Sequence, residues 1–187
     1  ENTLPLSAAT KKLNVFGWAS TQPYLGGTGS SASSAAAATD IMKSLHDAGF
    51  ETNDALTGLY TSYASARPTA DMFGQNLTLP EPTADVYTDE LMEQAKAFSD
   101  TAVIVIARGG GENYDLPQDM HAVIHGEYNR ASEVSVNPDV YPYTKVTYQN
   151  NGDYDDFDAG ESYLQLSNTE ENMIARVCER FDHVILV

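Results

Sequence analysis

TAVIVIARGGGENYD, residues 101–115, decides the fold class, because it joins an apolar strand to a glycine-rich turn. Its opening run, TAVIVIA, is rich in β-branched side chains, a pattern typical of a parallel strand covered on both faces. Gly109, Gly110 and Gly111 then permit a sharp exit that leaves Glu112 just past the strand end. A solvated acidic turn and a carboxyl group presented to a ligand both fit these residues, so the two interpretations stay open at this point.

Predicted strands and helices alternate on either side of this segment. KKLNVFGW (11–18) predicts a short strand that ends at Gly17, and HVILV (183–187) predicts a final buried strand. Helices are predicted within residues 33–50, 54–65, 88–98 and 167–181. Gly49 stands where a helix C-cap belongs, and Ser167 with Glu170 has the spacing of a capping box. The alternation predicts a mostly parallel sheet sandwiched between helices, a three-layer α/β/α fold.

The stretch from 117 to 161 is irregular, and we expect it to be an insertion within a single domain that covers residues 1–187. It contains VYPYTKVTYQNNGDYDDFD (140–158), in which Asn151-Gly152 has the sequence of a two-residue hairpin turn. The acidic run DYDDFDAGE (153–161) does not place oxygen ligands at EF-hand positions, so the sequence predicts a solvated loop there.

Composition and charge exclude several classes of protein. The length of 187 residues fits one ordinary globular domain, and the formal net charge of −17 argues against nucleic acid or an anionic membrane as partner. No apolar run reaches the roughly 18 residues of a membrane span. The single cysteine, Cys178, excludes an internal disulfide framework, and we expect it to be buried in a helix. The chain begins without Met and stops on a strand, so we expect a truncated domain whose compartment the sequence does not reveal.

The glycine-rich loop YLGGTGSS (24–31) follows the first predicted strand and leads into a helix. Ligands of open α/β sheets bind beyond the carboxyl ends of the strands, and glycines let backbone amides approach them. The loop lacks the third glycine of a dinucleotide fingerprint, whose position holds Ala32, and it lacks the Lys-Ser/Thr pair of a P-loop. A tight turn, a nucleotide site and the lining of a neutral-ligand cleft remain alternatives, and no cofactor is predicted.

The histidines do not predict a metal site. His121 and His125 lie four residues apart in HAVIH, but this segment lacks the glutamate of the HExxH zinc motif. His46 and His183 stand far from this pair along the chain. The sequence therefore predicts no bound metal.

Taken in order, four segments resemble a known family. They are ENTLPLS, KLNVFGWAS with GGTGSS, AVIVIARGGGENYD and YLQLSNTEENMIARV. This series resembles the C-terminal α/β-sandwich domain of glycoside hydrolase family 3, the family of β-glucosidases and β-xylosidases. In that family an N-x-LPL segment follows the linker from a (β/α)8 barrel, the loop reads GGxGS, and the strand ends in a GEGxD-like turn. The resemblance covers nearly the whole chain except the insertion at 117–161.

The resemblance implies a retaining glycosidase that places two carboxyl groups around the scissile bond of a β-glucoside or β-xyloside. The nucleophile of the family is an Asp on the barrel domain, and the acid/base in many members is the Glu of the GEGxD-like turn. That position matches Glu112. The resemblance also implies substrate contacts from Gly27, Thr28, Gly29, Arg108 and Asp115.

The chain departs from the family pattern in three respects. Asn113 stands where Gly is usual, and Leu116 stands where Arg is frequent. The position of the acid/base also varies across the family, so Glu161 is a second candidate for this role. The barrel motif with the nucleophile is not among these residues, so we expect the fragment alone to be inactive. Two alternatives are a non-catalytic carbohydrate-binding or structural domain and a flavodoxin-like nucleotide-binding module that uses GGTGSS.

Overall fold

A computed structural model of the chain describes residues 3–24, 38–65, 75–110, 116–128, 146–149 and 154–187. The strands are β1 (Lys12–Phe16), β2 (Glu51–Thr52), β3 (Gln75–Asn76), β4 (Thr101–Ile104), β5 (Val146–Thr147) and β6 (His183–Leu186). The helices are α1 (Ile41–Asp47), α2 (Asp54–Ser65), α3 (Asp89–Phe98), α4 (Met120–Ile124) and α5 (Asn168–Arg180). Short 3-10 turns occupy Trp18–Ser20 and Ala84–Val86.

The main sheet has four parallel strands in the order β2-β1-β4-β6. Phe16 pairs with Ile104, and Ile104 pairs with Leu186, so the carboxyl ends of three strands lie level at one edge. This order of strands in the sheet differs from their order along the chain. Parallel neighbouring strands need crossover connections, and these connections contain the helices. The predicted α/β fold class, a parallel sheet packed against helices, is confirmed.

The two central strands form the core of the sheet. All four residues of β4 are buried, as its sequence rich in β-branched side chains predicts, and Phe16 of β1 is fully buried between the rings of Tyr60 and Phe181. By contrast, β6 lies at the edge of the sheet that the structure describes. None of its four residues is buried, and Leu186 is 60% exposed, so the prediction of a buried final strand is wrong.

Local capping signals set the helix ends. Helix α1 begins at Ile41, and the Asp40 carboxylate caps it by accepting a hydrogen bond from Lys43 N at 2.6 Å. The alanine-rich segment before it lies largely outside the described residues. Gly49 has a φ of +87° just past the end of α1, as predicted. In α5 the predicted capping box is present. The same helix turns Val177 inward and leaves Cys178, the next residue round the helix, exposed, which corrects the expected burial.

The described part of the segment predicted to be an insertion pairs with a distant part of the chain. Val146 and Thr147 of β5 lie parallel to Gln75 and Asn76 of β3, and Leu77 N donates to Thr147 O at 2.9 Å. A turn signal determines only local geometry, whereas the buried backbone at Leu77 needs an acceptor and takes it from β5. The pairing described here is thus long-range and parallel. The predicted hairpin stays a prediction, because its Asn151-Gly152 turn lies outside the described residues. Among the helices described, none is long and apolar enough to cross a membrane.

Candidate functional site

The chain leaves β1 at the carboxyl edge of the sheet through Gly17. This glycine has a φ of +94°, and a Cβ there would lie 2.2 Å from Val105 O, so a side chain would collide with the neighbouring strand. Val105 N also donates to Phe16 O at 3.0 Å. The close approach holds the start of the first loop directly beside the end of β4.

The bases of the two predicted ligand loops contact each other. A Cβ built on Gly109 would lie 2.7 Å from Cζ and Oη of Tyr24, so the tyrosine ring rests on this glycine. Tyr24 also packs edge-on against Trp18, with ring centroids 5.9 Å apart. Tyr24 is the last described residue before GGTGSS, and Gly109 and Gly110 are the last before Glu112. The structure therefore brings the entrances of both loops together at the carboxyl edge.

Most of the predicted site residues lie outside the described residues. These are Gly27, Thr28, Gly29, Glu112 and Asp115. Their roles remain predictions. Arg108 and Glu161 are described, and their surroundings are given below.

Arg108 forms a bidentate ion pair with Glu170 at the start of α5. Its Nη1 and Nη2 lie 2.6 Å from Oε1 and Oε2 of Glu170, whose side chain is fully buried. Nε donates to Tyr163 O at 2.7 Å, Nη2 to Gln165 O at 2.5 Å and Nη1 to Ala107 O at 3.1 Å. A guanidinium has five N–H donors, so each is already engaged. Direct substrate binding by Arg108 stays a prediction, and a sugar hydroxyl would have to share one of these donors.

The Arg108–Glu170 pair fixes the base of the second loop. Glu170 also accepts from Ser167 N at 2.9 Å in the capping box, so one carboxylate joins the N-terminus of α5 to the end of β4. The Tyr163 hydroxyl accepts from Gly109 N at 3.1 Å. Together these contacts give the glycine turn a rigid support, which a group aimed at a ligand requires.

Glu161, the second candidate acid/base, stabilises a turn at the surface. Its Oε2 accepts from Asp158 N at 2.8 Å, and its backbone oxygen accepts from Met120 N at 2.7 Å. Gly160, which precedes it, has a φ of +83°. The contacts described for Glu161 thus join the turn at 158–161 to the first residue of α4.

A buried carboxyl group that sequence reasoning missed lies beneath the first loop. Glu81 is 1% exposed; its Oε2 accepts from Trp18 N at 3.2 Å, and its Oε1 accepts from the Tyr87 hydroxyl at 2.6 Å. The Tyr87 hydroxyl is 2.9 Å from that of Tyr60. Desolvation raises the pKa of Glu81 to about 8, against the opposing hydrogen bonds from Tyr87 and Trp18. In the sequence, Glu81 stands between two prolines. This pattern indicates a loop and does not predict that the side chain is buried.

The free energy of unfolding should fall with rising pH because of Glu81. An unfolded chain ionises it near 4.5, whereas the folded chain keeps the proton up to about pH 8, so the folded state binds more protons between these values. Glu81→Gln keeps an acceptor for Trp18 N and removes the titration. We expect the variant to match the parent near pH 5 and to exceed it by a few kcal/mol above pH 8, at about 1.4 kcal/mol per pH unit.

Urea unfolding at a series of pH values measures this difference. Glu90→Gln is the matched control, because it removes a carboxylate from the exposed side of α3. Parallel pH profiles for the parent and Glu81→Gln, or equal flattening by both substitutions, would contradict the prediction.

The acidic run of the insertion is not uniformly solvated. Asp156 is fully buried; its Oδ1 accepts from Thr169 N at 3.0 Å and from the Thr169 hydroxyl at 2.7 Å, and its Oδ2 accepts from the Tyr148 hydroxyl. Desolvation raises the pKa of Asp156. The prediction of a solvated loop is therefore wrong at this residue, because the start of α5 supplies the donors that make its burial possible.

Two other features of the described residues bear on ligands. An open depression of about 520 Å³ lies beside β2 and is lined in part by Thr52 and Phe98. Thr52 pairs with Leu13 near the start of β1, so this depression is away from Tyr24 and Gly109. Within the described ranges, one group of side chains could hold a metal ion, namely His121, His125 and Asp155.

Among comparisons with known proteins, only the one with solved structures bears on the fold. No protein-family profile matches the chain, and no curated protein matches it. A solved β-glucosidase from Paenibacillus barengoltzii aligns with 94% of this chain at 20% identity and a TM-score of 0.58. β-Glucosidase 3B from Thermotoga neapolitana, solved with glucose, aligns with 97% at 21% identity and a TM-score of 0.50. The chain spans 15% and 27% of those two proteins, so it shares the fold of one segment of each.

Proposed function

We propose that this chain is the α/β-sandwich domain of a retaining β-glucosidase-like enzyme of glycoside hydrolase family 3. In this proposal the domain lines the sugar cleft and supplies the general acid/base, while the nucleophile lies on a (β/α)8 barrel domain outside these residues. The observation that supports it most is the contact of Tyr24 with Gly109, which joins the entrances of both glycine loops at one edge of the sheet. That edge is where parallel α/β sheets bind ligands.

The proposed mechanism assigns Glu112 two successive tasks. As an acid it gives a proton to the leaving oxygen while the barrel Asp attacks the anomeric carbon and forms a covalent glycosyl-enzyme. As a base it then takes a proton from the water that hydrolyses this intermediate. The two carboxyl groups of retaining enzymes lie roughly 5–5.5 Å apart, so the sandwich has to close on the barrel for the reaction to proceed.

The remaining predicted residues orient the sugar in this proposal. Backbone amides at Gly27 and Gly29 and the hydroxyl of Thr28 offer hydrogen bonds to sugar hydroxyls, and glycine allows the close approach. The Asp115 carboxylate accepts from a hydroxyl pair. Arg108 acts chiefly through Glu170, with which it holds the base of the turn.

The stereochemistry of hydrolysis tests the proposed function. The full protein that contains this chain should hydrolyse aryl β-glucosides or β-xylosides and release the β-anomer first, as a two-step displacement requires. Proton NMR of the first minutes of reaction distinguishes the anomers before mutarotation. Initial release of the α-anomer contradicts the retaining mechanism. Sugar binding without hydrolysis would favour a non-catalytic carbohydrate-binding domain instead.

A further inference from the structure

Two histidines, one within α4 and one at its C-cap, present their imidazoles on one side of the helix. His121 and His125 are separated by one helical turn, and their ring centroids lie 4.2 Å apart. Asp119 caps the start of the helix by accepting from Ala122 N at 3.0 Å. The pair is therefore held by the backbone of a capped turn.

A carboxylate from a distant part of the chain faces both rings. Asp155 Oδ1 lies 2.7 Å from His125 Nε2, and Asp155 Oδ2 lies 3.8 Å from His121 Nε2. The three ligand atoms lie within 4.8 Å of one another. One oxygen of the Asp155 carboxylate is hydrogen-bonded to His125. The second oxygen and the His121 ring face the space between the three side chains.

Both sides of this group are anchored independently of any ligand. Asp155 O accepts from Asn168 Nδ2 at 3.0 Å, and the next residue, Asp156, is buried and bound to Thr169. On the other side, Met120 N donates to Glu161 O at 2.7 Å. The three side chains thus belong to a prearranged cluster, which lowers the entropic cost of binding an ion.

We infer that His121, His125 and Asp155 form a binding site for a divalent transition-metal ion of the zinc class. Zinc–ligand distances of about 2.0–2.2 Å place neighbouring ligand atoms of a tetrahedral site roughly 3.4 Å apart, so small rotations of these side chains complete the geometry. Two imidazole nitrogens with one carboxylate oxygen suit zinc, whereas calcium and magnesium select oxygen ligands. The side chains are 31–54% exposed, so water can fill the remaining position.

The role of the site is structural. The HExxH motif of metalloproteases carries its general base next to its first histidine, and this position is Ala122 here. The ion would instead connect α4 to the segment that leads into α5, and so join two ends of the insertion. Because protons compete with the metal for imidazole nitrogens, binding weakens in acid.

Calorimetric titration of the 187-residue chain with zinc chloride near pH 7.5 tests this inference. We expect one equivalent to bind, and cobalt(II) in its place to give the intense visible absorption of a tetrahedral site. We expect the affinity for zinc to fall about 100-fold or more in each of three variants, His121→Asn, His125→Asn and Asp155→Asn. Removing a group that only hydrogen-bonds to a metal ligand typically lowers affinity 10- to 100-fold, and removing a ligand itself should cost more. His183→Asn removes an exposed histidine from β6 and is the matched control.

Several results would overturn the inference. One is the absence of stoichiometric binding, and another is binding that survives all three substitutions. Equal weakening by His183→Asn, or displacement of zinc by millimolar calcium, would also overturn it. Asp155→Asn keeps an oxygen that can contact His125, and an unchanged circular dichroism spectrum separates loss of a ligand from loss of the fold.

Discussion

Glu112→Gln in the enzyme that carries this chain with its barrel should lower kcat for glycosides with poor leaving groups by about 10²–10⁴-fold. An alkoxide leaves slowly unless it is protonated as the bond breaks, and glutamine cannot donate that proton. A nitrophenolate leaves without such help, so glycosylation by activated aryl glycosides should change little. The second step then becomes slow, because no base activates water, and azide, which needs no base, should restore turnover. Steady-state kinetics with a series of aryl glycosides measures both effects.

Glu161→Gln is the matched control for Glu112→Gln, because it removes the other candidate acid/base with the same change of side chain. If Glu112 is the acid/base, the dependence on leaving group should steepen only in the Glu112 variant. A loss of equal size in kcat/KM, which reports the first step alone, for every leaving group would remove Glu112 from this role. Steepening in the Glu161 variant alone would transfer the role to Glu161.

Arg108→Met should lower the free energy of unfolding by about 3–5 kcal/mol, the range for breaking one side of a buried ion pair. Methionine fills similar volume, but it leaves the buried Glu170 carboxylate without its bidentate partner and three backbone oxygens without donors. Arg108→Lys should recover only part of the loss, since an ammonium cannot make the paired contacts of a guanidinium. Urea unfolding near pH 7 measures these changes.

Arg176→Met makes the same change at the surface and serves as the control. Arg176 binds Asp89, whose side chain is 77% exposed, and exposed pairs of this kind contribute little to stability because water screens both charges. The prediction therefore requires a clear difference between the two methionine variants. Similar losses at both positions would show that the Arg108–Glu170 pair is not the main support of the turn.

Sequence reasoning performed well wherever the cause of a structure is local. The helix predicted at 54–65 is α2, Asp54–Ser65, and the predicted capping box of Ser167 and Glu170 is present. Each of these depends on residues a few positions apart. The run TAVIVIA, rich in β-branched side chains, likewise predicted β4, because a strand buried on both faces shows no alternation of apolar and polar residues.

The same reasoning failed wherever a polar side chain finds a distant partner. The capping box accounts for Glu170 and Ser167, but nothing local reveals that this carboxylate also closes on Arg108, 62 positions away. Asp156 lies in a segment rich in acidic residues, which predicts exposure to solvent. It is nevertheless buried, because Thr169 and Tyr148 donate hydrogen bonds to its carboxylate. The sequence also did not predict the pairing of β3 with β5, because strands of two residues are too short to show a periodic pattern.

By itself the sequence determined the alternation of strands and helices, the caps that end them and the glycines through which two loops begin at one edge of the sheet. These features arise from backbone sterics and from hydrogen bonds between residues a few positions apart, so the order of residue types is enough to specify them. Only the tertiary structure decided which carboxyl groups are buried or paired: Glu81 beneath Trp18, Glu170 against Arg108, and Asp155 before His121 and His125. The charge state of a carboxyl group and its binding of a proton, an arginine or a metal ion depend on its solvation and on the groups within a few ångströms, and folding brings those groups together from distant parts of the chain.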